Sequence, residues 1–297
     1  AIRAQVVDYL LKPVAEETLE KLLYKLKEKF IARKQERMQQ SVAARINHMF
    51  PDSTPLALQA VSLGICLFCA GALPQAAEPD GYGDAPDVWQ KVSLAGITKA
   101  LCGDNVLFVQ EYMGDSRSER ILVYQQAEPA DRGWTKRLYE EVLSQSELPV
   151  SCACLAEPVP VTEIGTAHKR LRRLLAERIV IGQSLYEAVS LRALEQMKRQ
   201  GGDFAEDSEI ASRCADLLMG GDPKKITAFR RELFARFAQE SWTQRRVLRF
   251  FQRVITLLES KSPDPAGVLP YREWFFTAVG MAASLAELEE IVQSLDL

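Results

Sequence analysis

The chain has 297 residues, 47% of them hydrophobic and 26% charged, a usage that excludes a disordered, collagenous or disulfide-scaffold protein. That length suits about two domains of ordinary size. Lys and Arg number 37 and Asp and Glu 40, a formal net charge of −3, which excludes a globally basic nucleic-acid binder.

In chain order, Asp8-Tyr9-Leu10-Leu11 reads as a short strand running into Lys12-Pro13. A long helical pattern follows from Val14 to Phe50, with Pro13 and Glu16, Glu17 and Glu20 suited to its N-terminal end. Leu19, Leu22, Leu23, Leu26 and Phe30 recur at spacings of three and four, and so line one face. From Arg33 to Arg45 the pattern is polar nearly all round, as in an exposed connector or a weak coiled coil. Pro51-Asp52-Ser53-Thr54-Pro55 breaks the helix.

Alternating elements come next. Strands are expected at Ala60–Cys69, Asn105–Tyr112, Glu119–Gln126 and Val150–Leu155, and helices at Asp87–Leu101, Asp131–Ser146 and Val161–Ile181. The two middle strands flank the turn from Met113 to Ser118 and read as a hairpin. This order fits an α+β fold, an antiparallel sheet with helices on one face in a split-βαβ arrangement. Six further helices are expected, at Glu187–Arg199, Glu206–Met219, Pro223–Gln239, Thr243–Ser260, Pro270–Ala282 and Leu285–Leu295. Together they predict an α-helical bundle, and no fixed-period repeat runs through the chain.

The opening resembles the end of a response-regulator receiver domain. The resemblance rests on Asp8-Tyr9-Leu10-Leu11-Lys12-Pro13 and the amphipathic helix behind it. It implies that Lys12 contacts a phosphoryl group, as an ammonium stabilises a phosphate dianion, and that Tyr9 is a switch aromatic. The order of parts resembles the central region of an AraC-type two-component response regulator, with a degenerate nucleotidyl-cyclase-like (GGDEF-like) domain in the middle. On that reading residues 1–13 are a receiver remnant, 14–54 a linker helix, 55–190 the α+β domain and 191–297 a helical domain. The chain then reads as an internal piece, because the acceptor Asp and the tandem helix-turn-helix units of the family are not found in it. The resemblance implies as partners the protein's own receiver and DNA-binding domains and, indirectly, a histidine kinase, with DNA reached only through the missing C-terminal domain.

The chemistry-bearing residues agree with a non-catalytic role. An active cyclase needs a carboxylate-rich hairpin to hold divalent cations against a triphosphate, yet here only Gly114 and Asp115 echo that motif. No Walker loop and no G-x-S-x-G elbow occurs. His168, beside Lys169 and Arg170, is expected on a solvated helix surface, and the basic stretches 168–178 and 224–253 are expected to be solvated faces rather than DNA contacts. Cys66 and Cys69 fall on opposite faces of a strand, so the cysteines read as buried reduced thiols with no metal and no cofactor. The longest apolar run, Val61 to Leu73, is too short to span a bilayer, and with no leader the chain reads as cytoplasmic with no membrane partner.

The expected function is therefore signal relay in transcription control, without enzymatic activity, through a homodimer whose geometry changes. Leu19, Leu22, Leu23, Leu26 and Phe30 would serve self-association or docking on the receiver. The alternative is a module that senses a small effector in the α+β domain.

Overall fold

The computed structural model describes residues 16–47, 56–74, 88–127, 133–197, 205–261 and 269–294. It divides into two units. The first gathers α1 (Glu16–Ile46), the single turn α2 (Leu56–Gln59) and the segment 160–165. Acidic Glu16 and Glu17 lie in the first turn of α1 and Arg45 in its last, both favourable to the helix dipole. Only the C-terminal third of α1 is buried, at Met38, Ser41, Val42 and Ile46.

The second unit is built around β1 (Ser62–Ala70), whose residues after Ser62 are all buried. Such a strand is covered on both faces. Around it lie α3 (Leu94–Cys102), β2 (Val106–Met113), β3 (Glu119–Gln126), α4 (Trp134–Gln145) and β4 (Val150–Leu155). A two-residue strand, β5 (Val159–Pro160), follows, then α5 (Ile164–Arg178) and β6 (Leu185–Val189). The sheet order is β2-β3-β1-β4-β6, with β5 pairing β1. Gly64 lies opposite Tyr124, whose ring passes where a Cβ would sit.

On one face Cys66, Phe68, Leu122, Tyr124, Cys152 and Cys154 pack against Trp89 and against Leu94, Trp134, Leu138 and Val142 of α3 and α4. Ser93 caps α3, and Glu111 of β2 accepts a hydrogen bond from the Ala95 amide at 2.6 Å, placing a carboxylate at that helix start. The opposite face carries Leu63, Ile65, Leu67, Ile121, Val123 and Ala153, all buried. The fold is thus α+β.

Three local expectations change. The helices do not share one face: Arg172 of α5 meets Glu119, which pairs with Cys69 on the side of the sheet away from α3 and α4. The sheet is not wholly antiparallel, because β6 joins β4 in parallel register, Cys152 opposite Tyr186 and Cys154 opposite Ala188. The helix expected from Glu187 is strand until Val189, and helix α6 (Leu191–Gln196) begins only where the Ser190 hydroxyl caps the Ala193 amide.

The rest of this unit is helical: α7 (Ala205–Gly220), α8 (Pro223–Gln239), α9 (Gln244–Lys261), α10 (Leu269–Met281) and α11 (Leu285–Gln293). Asp222 caps α8, with Pro223 in the first turn, and Ser284 caps α11. The core of these helices is aromatic. Phe237, Trp242, Phe250, Phe251 and Phe275 lie edge to face or tilted, with neighbouring centroids 4.7–6.2 Å apart. The turn before α9 folds Trp242 inward, its indole N–H donating to Glu240 and the Arg246 guanidinium lying 3.8 Å over its ring. Ser241 in that turn takes a left-handed φ of 49°.

Candidate functional site

The β2–β3 turn, where the sequence echoes a cyclase motif, is tightly built. The Gly114 amide donates to the Glu119 carbonyl at 3.3 Å and the Glu119 amide to the Ser116 carbonyl at 3.1 Å. A Cβ on Gly114 would come within 2.4 Å of the Glu119 Cβ, so the turn requires a glycine there. Glu119 opens β3 and is fully buried, at 0% exposure. Its carboxylate accepts from the Ser116 hydroxyl at 2.8 Å, and the Arg172 guanidinium from α5 is seated against it at 3.1–3.2 Å. Arg172 also lies 3.1 Å from Asp115 and donates to the Pro74 carbonyl at 2.8 Å. Trp89 closes the far side, its indole N–H donating to the Ser118 carbonyl at 2.9 Å.

The electrostatics follow from this burial. Desolvation raises the Glu119 carboxyl above its ordinary value although Arg172 and Ser116 pull it back. Next to it, burial and the Glu119 charge push the Cys69 thiol up to about 12. Asp115 in the turn and Glu119 at its exit are both held by the Arg172 guanidinium. What the cluster does is tie three segments together: the hairpin, the loop after β1 and the middle of α5.

That loop continues the chain of contacts. The Gly71 amide donates to the Pro149 carbonyl at 2.7 Å. Gln244, at the start of α9 and 2% exposed, accepts from the Leu73 amide at 3.1 Å. It donates to the Leu73 carbonyl at 3.0 Å and to the Gly280 carbonyl of α10 at 2.7 Å. The Gln244 amide itself donates to the Ile179 carbonyl at 2.8 Å, and Arg245 pairs with Glu177. Residues 71–74 therefore lie between two polar fasteners, Arg172 toward the hairpin and Gln244 toward the helices. Neither role is visible in the sequence alone. Arg172 is one of several cations in a basic run, and Gln244 is one of many polar residues in an amphipathic helix.

In the first unit, Leu19, Leu23 and Phe30 of α1 are exposed, Phe30 to 78%, while Leu22 and Leu26 are half-buried. The structure keeps these five residues on one helix face. Tyr9 and Lys12 lie outside the described residues. At the other end of α1, the Arg45 guanidinium donates to the Thr162 carbonyl at 3.1 Å, just ahead of α5. A Cβ on Gly165 would sit 2.5 Å from the Arg45 carbonyl oxygen, so the last turn of α1 lies directly against Gly165. We expect Gly165→Ala to lower stability by about 1–3 kcal/mol, because backbone and not a flexible side chain must move. A urea midpoint unchanged from the parent would contradict that close approach.

Cys66, Cys69, Cys152, Cys154 and Cys214 are buried free thiols, Cys102 is half-buried and free, and Cys66 and Cys69 do face opposite sides of β1. His168 is not on the surface. It is fully buried on α5, because Ile164, His168, Leu171 and Leu175 form one inward stripe beneath the exposed Lys169. Much of the basic charge is matched by carboxylates of other elements: Arg170 by Glu195, Arg178 by Glu187, Arg230 by Glu289, Arg246 by Asp207 and Arg236 by Glu206. Among the described residues no group of His, Cys, Asp and Glu could hold a metal ion, and no helix is long and apolar enough to cross a membrane. Set against protein-family models, curated proteins and solved structures, the chain gives no match.

Proposed function

We propose that the chain is a non-catalytic relay segment of a two-component response regulator controlling transcription. The observation that carries this reading is Arg172. It takes up Asp115 and Glu119 at the hairpin where a cyclase-like domain would hold metal and nucleotide. The chain order β-α-β-β-α-β, with the β2–β3 hairpin forming one edge of the sheet, supports the GGDEF-like resemblance. On this reading a change at α1 enters through its last turn, which bears on Thr162 and Gly165 at the head of α5. α5 carries the change to Arg172, and the loop 71–74 passes it through Gln244 to α9 and α10.

The test is calorimetric titration of the protein with GTP and with ATP, each with Mg²⁺ or Mn²⁺, alongside an assay for pyrophosphate release. The relay reading expects neither heat nor turnover. Saturable, metal-dependent binding that changes when Asp115 is replaced by Asn would overturn it and return the hairpin to a catalytic or ligand-binding role.

A further inference from the structure

The N-terminal two-thirds of α1 presents apolar side chains that are not buried by any described residue of this chain. Leu19, Leu23, Tyr24, Phe30 and Ile31 are all exposed, and residues 16–37 contain no buried position. A helix this open is marginal in water unless a partner takes its face. Leu19, Leu23, Leu26 and Phe30 follow one another at spacings of four, three and four, the repeat of a two-helix coiled-coil seam. Glu16 precedes and Arg33 follows on that seam, Glu20 and Lys27 flank it on one side, and Leu22 and Lys29 on the other.

The charges discriminate between the two ways a second copy can lie on this face. In a parallel pair Arg33 meets Arg33 of the second copy, Glu16 meets Glu16, and Lys29 approaches Lys34. Every charged contact is then between like charges. In an antiparallel pair the seam layers become Leu23 with Leu26 and Leu19 with Phe30 of the second copy, and Arg33 closes on Glu16. Glu20 then flanks Lys27, and the aliphatic stem of Lys29 covers Leu22. Each of these contacts occurs twice by the two-fold symmetry, and each ion pair is of opposite sign.

We infer that the exposed face of α1 is a self-association surface on which a second copy of this chain docks antiparallel. The inference concerns α1 alone. It adds an orientation to the relay reading and depends on that reading only for its purpose, since a dimer could form with or without any relay through Arg172.

A charge-swap cycle on the whole chain, read by sedimentation equilibrium, tests it. All the substituted residues are exposed on α1, so folding should be unaffected, and circular dichroism checks that. Lys27→Glu and Glu20→Lys should each weaken dimerisation about ten-fold, and the double variant Glu20→Lys/Lys27→Glu should restore it. Arg33→Glu and Glu16→Arg should behave as a second such pair. A parallel dimer gives no rescue in either cycle, because neither pair then meets, and that result overturns the orientation. A parent protein that stays monomeric at the highest attainable concentration overturns the surface itself and leaves the face to another occupant such as the receiver. Neither failure bears on nucleotide binding at the hairpin, so it stays distinct from a failure of the relay reading.

Discussion

Replacing Arg172 with Ala should be among the most damaging single substitutions in the chain. The change strips a fully buried carboxylate of its cation and leaves Glu119 with the Ser116 hydroxyl. Breaking one side of a buried ion pair in this way costs about 3–5 kcal/mol. It also frees the Pro74 carbonyl and Asp115. The loss should depend on pH with a defined sign. Burial already holds the Glu119 carboxyl above its unfolded value, so its contribution to stability is greatest in acid and falls as pH rises through the folded value. Without Arg172 that value rises further. The gap between parent and variant should therefore be narrow in acid, where Glu119 is protonated, and reach its full width near neutrality. The double variant Glu119→Gln/Arg172→Met should recover much of the loss, since no charge is then left buried. Urea denaturation across a pH series checks all three statements. A gap that widens toward acid would contradict the assignment.

Gln244→Leu is the second large effect. The substitution keeps the volume of the side chain but deletes its hydrogen bonds, leaving the Leu73 amide and the Leu73 and Gly280 carbonyls without their partner. Buried polar groups stranded like this cost about 1–3 kcal/mol each, so a total of about 3–5 kcal/mol is expected after local relaxation. The effect should also show in cooperativity. Gln244 joins the loop after β1 to two helices of the aromatic core, and its loss should let the sheet and those helices unfold in separate steps. Far-ultraviolet circular dichroism and tryptophan fluorescence should give one transition in the parent and non-coincident transitions in the variant. Coincident curves at an unchanged midpoint would show that Gln244 carries no such coupling.

How legible these features are in the sequence depends on whether their cause is local. β3 and β4 begin and end where apolar patterning and turn residues place them, and α8 starts where Asp222-Pro223 supplies both a cap and a first-turn proline. β6 is different. Its pairing is parallel, with a strand across the α5 crossover, so nothing adjacent reveals it. The cap at Ser190 is the one local sign that a helix could not yet have begun. His168 was legible through its spacing from Ile164, Leu171 and Leu175, but the neighbouring Lys169 and Arg170 pointed to a solvated surface. At the site, Gly114 and Asp115 locate the hairpin from sequence alone. The clamp does not show, because Glu119, Arg172 and Pro74 come from three separate segments and only the folded sheet brings them together.

On the proposed relay, the hairpin and the helices are coupled through residues 71–74. Hydrogen–deuterium exchange of the parent and of the Glu119→Gln/Arg172→Met variant tests it most directly, since the variant breaks the clamp without burying a charge. The account predicts faster exchange at the hairpin, at the Leu73 amide and in the first turn of α9, with β4 and β6 unchanged. Faster exchange confined to the hairpin, with Leu73 and the start of α9 as protected as in the parent, would contradict it.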